Sequence, residues 1–77
     1  MELDYKKLGK RIKEQRLKQH LTQEKLGEIV GVNTSNISHI ERATTQVSLS
    51  SLVRIANALN TTLDQLACDS LYSVANL

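Results

Sequence analysis

Apolar residues recur three or four positions apart along most of the chain, and β-branched residues do not gather into alternating runs. This period is typical of amphipathic α-helices rather than of strands. The chain has no proline and only three glycines, so few positions interrupt a helix. The pattern predicts an all-α fold of five short helices, at about 4–18, 23–30, 34–42 and 49–59, with the fifth beginning at about 62.

Each predicted helix has an apolar stripe that is expected to face a common core. At about 100° per residue, Arg16 falls on the edge of the first stripe, which is an unusual place for a charge. The predicted inward positions are Tyr5, Leu8 and Ile12, then Leu26, Ile29 and Val30, then Ile37 and Ile40, then Leu49, Leu52, Val53, Ile55, Ala56 and Leu59, and finally Leu63, Leu66, Ala67 and Leu71.

Polar residues and one glycine mark where the predicted helices begin and end. Thr22 and Asn33 precede the second and third helices and are suitable N-caps. Gly31 follows the second helix, where a left-handed residue commonly ends a helix. Thr62 and Gln65 have the spacing of a capping box at the start of the fifth helix.

The length of 77 residues predicts one domain over 1–77, with its core at about 4–67 and a C-terminal tail at 68–77. Cys68 is the only cysteine, so no intrachain disulfide or cysteine-built metal site is expected, and a reducing compartment fits. No run approaches the roughly 20 apolar residues of a membrane span, and no apolar run follows the first charges. We therefore expect a cytoplasmic protein without membrane contact.

The net charge of +2 is unevenly distributed along the chain. Residues 2–20 contain seven basic and three acidic side chains, a balance of +4, whereas residues 21–77 contain three and five, a balance of −2. Polarised charge can orient a protein on a polyanion such as DNA. A solvated helix face would have the same composition, so charge alone leaves both interpretations open.

The stretch 23–42 has the pattern of two helices joined by a tight glycine turn. Gly27 is small where steeply crossing helices need a close backbone approach, and Gly31 supplies the turn. Five apolar residues are expected to fill the wedge between the helices: Leu26, Val30, Val32, Ile37 and Ile40. This spacing predicts a helix-turn-helix, although a simple helical hairpin could share parts of it.

The third helix is predicted to have a polar outer edge opposite its buried face. The residues of this outer edge are Thr34, Ser35, Asn36, Ser38, His39 and Arg42. They are hydrogen-bonding and include no carboxylate, so they could enter a major groove without repelling phosphate. Outside this motif, the same residues would be interpreted as ordinary surface.

The sequence resembles the lambda-repressor-like family, also called the Cro-type or xenobiotic-response-element (XRE) family. The resemblance rests on Leu21-Thr-Gln-Glu-Lys-Leu-Gly27 and on Gly31-Val-Asn-Thr-Ser-Asn-Ile-Ser-His-Ile-Glu-Arg42. It extends upstream to Gly9-Lys-Arg-Ile-Lys-Glu-Gln-Arg16 and downstream to Ser48-Leu-Ser-Ser-Leu-Val-Arg-Ile-Ala-Asn-Ala-Leu59 and Thr61-Thr-Leu-Asp-Gln-Leu66. It therefore covers about 8–67, with the five helices in matching order.

The resemblance implies roles for individual residues. Base reading falls to Thr34, Ser35 and His39, with Asn36 contacting a base or a phosphate. Phosphate contacts fall to Gln23, which also braces the recognition helix, and to Ser38, Arg42, Thr44, Thr45 and Gln46. The family pairs an arginine late in the first helix with a glutamate late in the third, here Arg16 and Glu41. Their helical angles agree with a partly buried ion pair.

Three positions depart from the family pattern. His20 and Ala43 stand where glycine is common, and the loop after Ala43 lacks the lysines and arginines of many relatives.

Cys68, Tyr72 and Ala75 share the outer face of the fifth helix at spacings of four and three. They are either a lightly apolar surface or a dimer contact, and the family's C-terminal dimerisation favours the dimer contact.

No arrangement of residues indicates catalysis, and five short helices leave little room for a pocket. His39 has no second ligand at metal-binding spacing, so no metal, cofactor or small-molecule ligand is expected. The leading hypothesis is a homodimeric regulator of transcription that binds an inverted repeat in double-stranded DNA, more often a repressor in this family. The alternatives are an antitoxin or a restriction-modification or mobile-element controller acting with a partner protein, and an interaction module without DNA binding.

Overall fold

The fold is known from a computed structural model, which describes residues 3–67. Five helices follow one another within this range: α1 (Tyr5–Lys18), α2 (Gln23–Val30), α3 (Thr34–Glu41), α4 (Leu49–Ala58) and α5 (Leu63–Ala67). The all-α, five-helix prediction is confirmed. None of these helices is long and apolar enough to cross a membrane.

Each of the five helices is preceded by a polar residue whose side chain accepts a hydrogen bond from a backbone N–H of the first turn. Thr22 Oγ1 accepts from Lys25 N at 2.9 Å, and Asn33 Oδ1 accepts from Asn36 N at 2.8 Å. The same contact is made by Asp4 for α1, Ser48 for α4 and Thr62 for α5. Since a helix leaves its first N–H groups without partners, these caps define where each helix starts.

The buried core draws side chains from all five helices. It consists of Leu8, Ile12, Leu26, Val30, Ile37, Ile40, Leu52, Ile55, Ala56, Leu59 and Leu66. α3 lies against α1 and α2, whereas α4 lies against α2 and α5. Each fully buried leucine or isoleucine stabilises the fold by about 1.5–3 kcal/mol. Because α3 lies between α1 and α2, apolar packing holds it from two sides.

Three residues predicted to face the core are exposed. Ile29 is 52% exposed, Leu49 70% and Val53 38%, so the expected stripes of the second and fourth helices were too wide. α2 packs through Leu26 and Val30 instead. A domain of five short helices has too few neighbours to cover a broad apolar band on every helix. Leu71, another predicted core position, lies outside the described residues.

Two polar side chains connect the ends of neighbouring helices. The Gln19 amide, just after α1, donates to the backbone carbonyl of Leu59 at the end of α4. Arg54 Nη1, on α4, donates to the carbonyl of Val30 at 3.4 Å. Carbonyls at the end of a helix have no partner within it, so these side chains satisfy them and join α4 to α1 and α2.

Candidate nucleic-acid interface

The angle between α2 and α3 is set by two glycines, as the sequence predicted. A Cβ on Gly27 would lie 2.6 Å from the carbonyl oxygen of Val32, a distance that would force the backbone apart. Gly31 ends α2 with φ of 86°, in the left-handed region that glycine enters without strain. The helix-turn-helix geometry therefore depends on a missing side chain at Gly27 and on backbone freedom at Gly31.

A buried ion pair fixes the inner side of α3. Arg16 Nε donates to Glu41 Oε2 at 2.6 Å, and Arg16 Nη2 donates to Glu41 Oε1 at 3.1 Å. The side chains are only 8% and 2% exposed, so the predicted pair is confirmed and is more deeply buried than expected. This two-bond contact joins α1 to the end of α3 and restricts how α3 can turn about its axis.

Two further hydrogen bonds complete this cluster. Arg16 Nη1 donates to the carbonyl of Leu21 at 2.8 Å, in the turn before α2. Gln23 Nε2, at the start of α2, donates to Glu41 Oε1 at 3.1 Å. Buried charges are tolerated when their remaining polar atoms are satisfied, and here the partners come from α1, α2, α3 and one turn. The hydrogen bond from Gln23 to Glu41 agrees with the bracing role that the resemblance implies for Gln23.

Gly9 is a supporting residue that the motif analysis missed. A Cβ at Gly9 would lie 2.5 Å from the carbonyl oxygen of Glu41 and 2.6 Å from that of Ile40. The backbones of α1 and α3 therefore approach each other closely at the end of α3. A glycine inside an otherwise helical stretch lowers helix propensity, and that cost was the available signal for a close contact.

The outer edge of α3 is open to solvent. Thr34, Ser35, Asn36 and His39 are exposed, while Ser38 is partly buried at the side. Ile37 and Ile40, on the opposite face, are 1% and 5% exposed. The structure therefore brings the four predicted base-reading residues together on one accessible edge.

Local hydrogen bonds order the two ends of this edge. At the N-terminal end, Ser35 Oγ donates to Asn33 Oδ1 at 3.1 Å, beside the N-cap bond that the same oxygen makes. At the C-terminal end, Arg42 is exposed and its Nε donates to the carbonyl of Ser38 at 3.4 Å. Arg42 is the one charged residue of the outer edge, so the surface offers hydrogen-bond donors and acceptors without a carboxylate.

The loop that follows α3 continues the exposed surface. Thr44, Thr45 and Gln46, the predicted backbone-contacting residues, are all exposed. Thr44 also contacts α3, because its Oγ1 lies 2.7 Å from His39 Nδ1 and its N–H donates to the carbonyl of His39 at 3.0 Å. The backbone N–H of Thr44 is therefore engaged within the chain.

The described residues contain no group of three or more histidine, cysteine, aspartate or glutamate side chains arranged to hold a metal ion. The predicted dimer contact at Cys68, Tyr72 and Ala75 lies outside those residues.

Comparison with known proteins identifies the class to which this geometry belongs. The sequence profile of the helix-turn-helix family matches residues 12–66. The chain is 37% identical to the control protein C.SmaI of Serratia marcescens over 59 residues, which span 77% of this chain and 70% of the relative.

Solved structures give the same result. The restriction-modification controller protein C.AhdI of Aeromonas hydrophila has a TM-score of 0.78 and 32% identity, over 80% of this chain and 94% of the other. The P22 c2 repressor, solved with synthetic operator 9T, has a TM-score of 0.73 and 36% identity, over 77% of this chain and 89% of the other.

The fold and the exposed edge of α3 define a helix-turn-helix DNA-binding domain. The chain belongs to the helix-turn-helix family, in its XRE or lambda-repressor-like branch, and is a DNA-binding regulator of transcription.

Proposed function

We propose that two copies of this chain bind an inverted repeat in double-stranded DNA, each placing α3 in a major groove. The observation that carries the proposal is the exposed, carboxylate-free outer edge of α3, held rigidly from behind by Arg16, Glu41 and Gln23. Rigid presentation matters because hydrogen bonds to base edges discriminate only when the donors and acceptors are fixed. Thr34, Ser35, Asn36 and His39 are the base-reading residues of this proposal.

The short length of α3 favours two copies. Eight residues extend roughly 12 Å, so one α3 reaches only a few base pairs. Two copies related by a twofold axis would read half-sites about one helical turn, roughly 34 Å, apart. The dimer contact would lie at Cys68, Tyr72 and Ala75, and binding to DNA is supported by the similarity to the P22 c2 repressor, which was solved with an operator.

Repression of transcription is the most direct outcome of such binding, because a dimer on an operator occludes the polymerase. A second candidate is control of a restriction-modification system, which the similarity to C.SmaI and to the restriction-modification controller C.AhdI favours. Both functions use the same DNA interface. They differ in the genes beside the operator, so sequences selected from a random DNA pool and located in the source genome distinguish them. Sites beside endonuclease and methyltransferase genes indicate a controller.

Substitution of individual residues tests the division between base and phosphate contacts. We expect His39→Ala and Ser35→Ala to alter sequence preference, with a loss of about 1–3 kcal/mol per base contact. Arg42→Ala is the matched control on the same helix edge. It should weaken all sequences alike and lower the slope of log affinity against log salt by about one.

Affinity is measured on the selected operator and on single-base variants, at several stated salt concentrations. The base-reading assignment of His39 is contradicted if its alanine variant weakens every sequence by the same factor. Sedimentation of the chain with and without a two-half-site duplex tests the dimer, and one chain per duplex at saturation would refute it.

A further inference from the structure

A side-chain contact joins the recognition helix to the loop that follows it. Thr44 Oγ1 lies 2.7 Å from Nδ1 of His39, and both residues are exposed. Thr44 was expected only to contact the DNA backbone, and nothing in the spacing of the sequence pairs it with His39. The contact places the Thr44 hydroxyl against the imidazole of His39, which the proposed function assigns to base reading.

The backbone at the end of α3 creates this contact. Ala43 has a φ of 59°, in the left-handed region, and its N–H donates to the carbonyl of Ile40 at 3.1 Å. Thr44 N then donates to the carbonyl of His39 at 3.0 Å. These two bonds form a Schellman motif, which reverses the chain and returns Thr44 to the last turn of the helix. Thr44 is therefore placed by the main chain rather than by a flexible loop.

The two contacts of Thr44 Oγ1 favour one position for the hydrogen on the His39 imidazole. Thr44 Oγ1 also donates to the carbonyl oxygen of His39, at 3.3 Å. A hydroxyl has one hydrogen and a carbonyl only accepts, so both contacts are hydrogen bonds only when the Thr44 hydrogen points to that oxygen. The contact between Nδ1 and Oγ1 then requires a hydrogen on Nδ1. With the opposite assignment, only one of the two contacts would be a hydrogen bond.

We propose that Thr44 is a positioning residue, which orients His39 and holds it in the Nδ1–H tautomer so that Nε2 faces the DNA as a hydrogen-bond acceptor. In the major groove, adenine N6 and cytosine N4 are donors, whereas guanine N7 and O6 and thymine O4 are acceptors. His39 therefore prefers adenine or cytosine at the base it contacts. This inference rests on the proposed function and adds the base class that His39 selects.

The test compares four duplexes that differ only at the base pair whose preference is lost in His39→Ala. Binding is measured in one buffer at a fixed pH of about 8. The wild-type chain and Thr44→Ser, which retains the hydroxyl, should bind adenine or cytosine at least about fivefold more tightly than guanine or thymine. Thr44→Val, which has the same shape without the hydroxyl, should reduce this ratio to about twofold or less.

Thr45→Val is the matched control, because it makes the same change one residue further along the exposed loop. It should alter affinity for the four duplexes by one common factor and leave their ratio intact. Nitrogen chemical shifts of the imidazole provide a readout without DNA, with His20 as the internal reference. They should show the hydrogen on Nδ1 of His39 in the wild type and in Thr44→Ser, and its loss from Nδ1 in Thr44→Val.

A wild-type chain that does not prefer adenine or cytosine at this base pair, a hydrogen on Nε2, or an unchanged ratio in Thr44→Val would overturn the inference while leaving sequence-specific binding intact. Failure of the wild-type chain to select any DNA sequence would instead contradict the proposed function. The two failures are therefore distinguishable.

Discussion

The Glu41 carboxylate connects α3 to both α1 and α2. It accepts from Arg16 Nε and Nη2 and from Gln23 Nε2, and the Glu41 side chain is 2% exposed. The resemblance to the lambda-repressor-like family implied the ion pair, and the helical angles of Arg16 and Glu41 agreed with it. The contact from Arg16 to the carbonyl of Leu21 was not predicted, because turn geometry determines where that carbonyl points.

Replacing Glu41 with alanine should lower the free energy of unfolding by about 3–5 kcal/mol, because Arg16 would remain buried without its charge partner. Glu28→Ala is the matched control, since Glu28 pairs with Lys25 at 3.5 Å while its side chain is 62% exposed. Loss of that surface pair should cost about 0–1 kcal/mol. Urea denaturation measures both. Equal effects in the two variants would show that the buried cluster does not hold α3.

Three chain reversals within residues 3–67, after α1, α3 and α4, have a left-handed residue other than glycine. His20, Ala43 and Asn60 have φ angles of 58°, 59° and 55°. At two of them, His20 and Ala43, the family commonly has glycine. The structure shows that the glycine-like turn geometry is retained there, because backbone hydrogen bonds across each helix end hold the left-handed residue.

Ala43→Gly should raise the free energy of unfolding by about 1 kcal/mol, because a Cβ is disfavoured in the left-handed region. Ala58→Gly, in the last turn of α4, makes the same chemical change at a helical residue. It should lower the free energy of unfolding by about 0.5–1 kcal/mol. Thermal unfolding gives both values. A loss of stability in Ala43→Gly would contradict the assignment of strain to this turn.

Helix order, caps and the glycine turn could be predicted from the sequence because each depends on residues close together in the chain. Burial in the second and fourth helices could not, as Ile29, Leu49 and Val53 show. An apolar stripe gives the direction that a helix turns inward, but not how much of its width the neighbouring helices cover. Gly9 was missed for a similar reason, since its constraint comes from α3, about 30 residues away in the chain.

Across the fold, positive charge and the proposed base-reading edge lie on different helices. Residues 2–20, which include α1, carry a balance of +4, and Lys7 and Lys10 of α1 are exposed. The outer edge of α3 has Arg42 as its one charge. The charge distribution favours DNA beside α1, whereas the proposed function has DNA at α3. We propose that α1 contributes long-range attraction and that α3 contributes the specific contacts.

Backbone amide chemical shifts, mapped as the chain is titrated with its selected operator, test most directly whether the outer edge of α3 contacts DNA. We expect the largest changes at Thr34, Ser35, Asn36 and His39 and in the loop 44–46, with smaller changes at Lys7 and Lys10. If the operator instead causes its largest shifts in α1 and none along the outer edge of α3, α3 does not enter the groove.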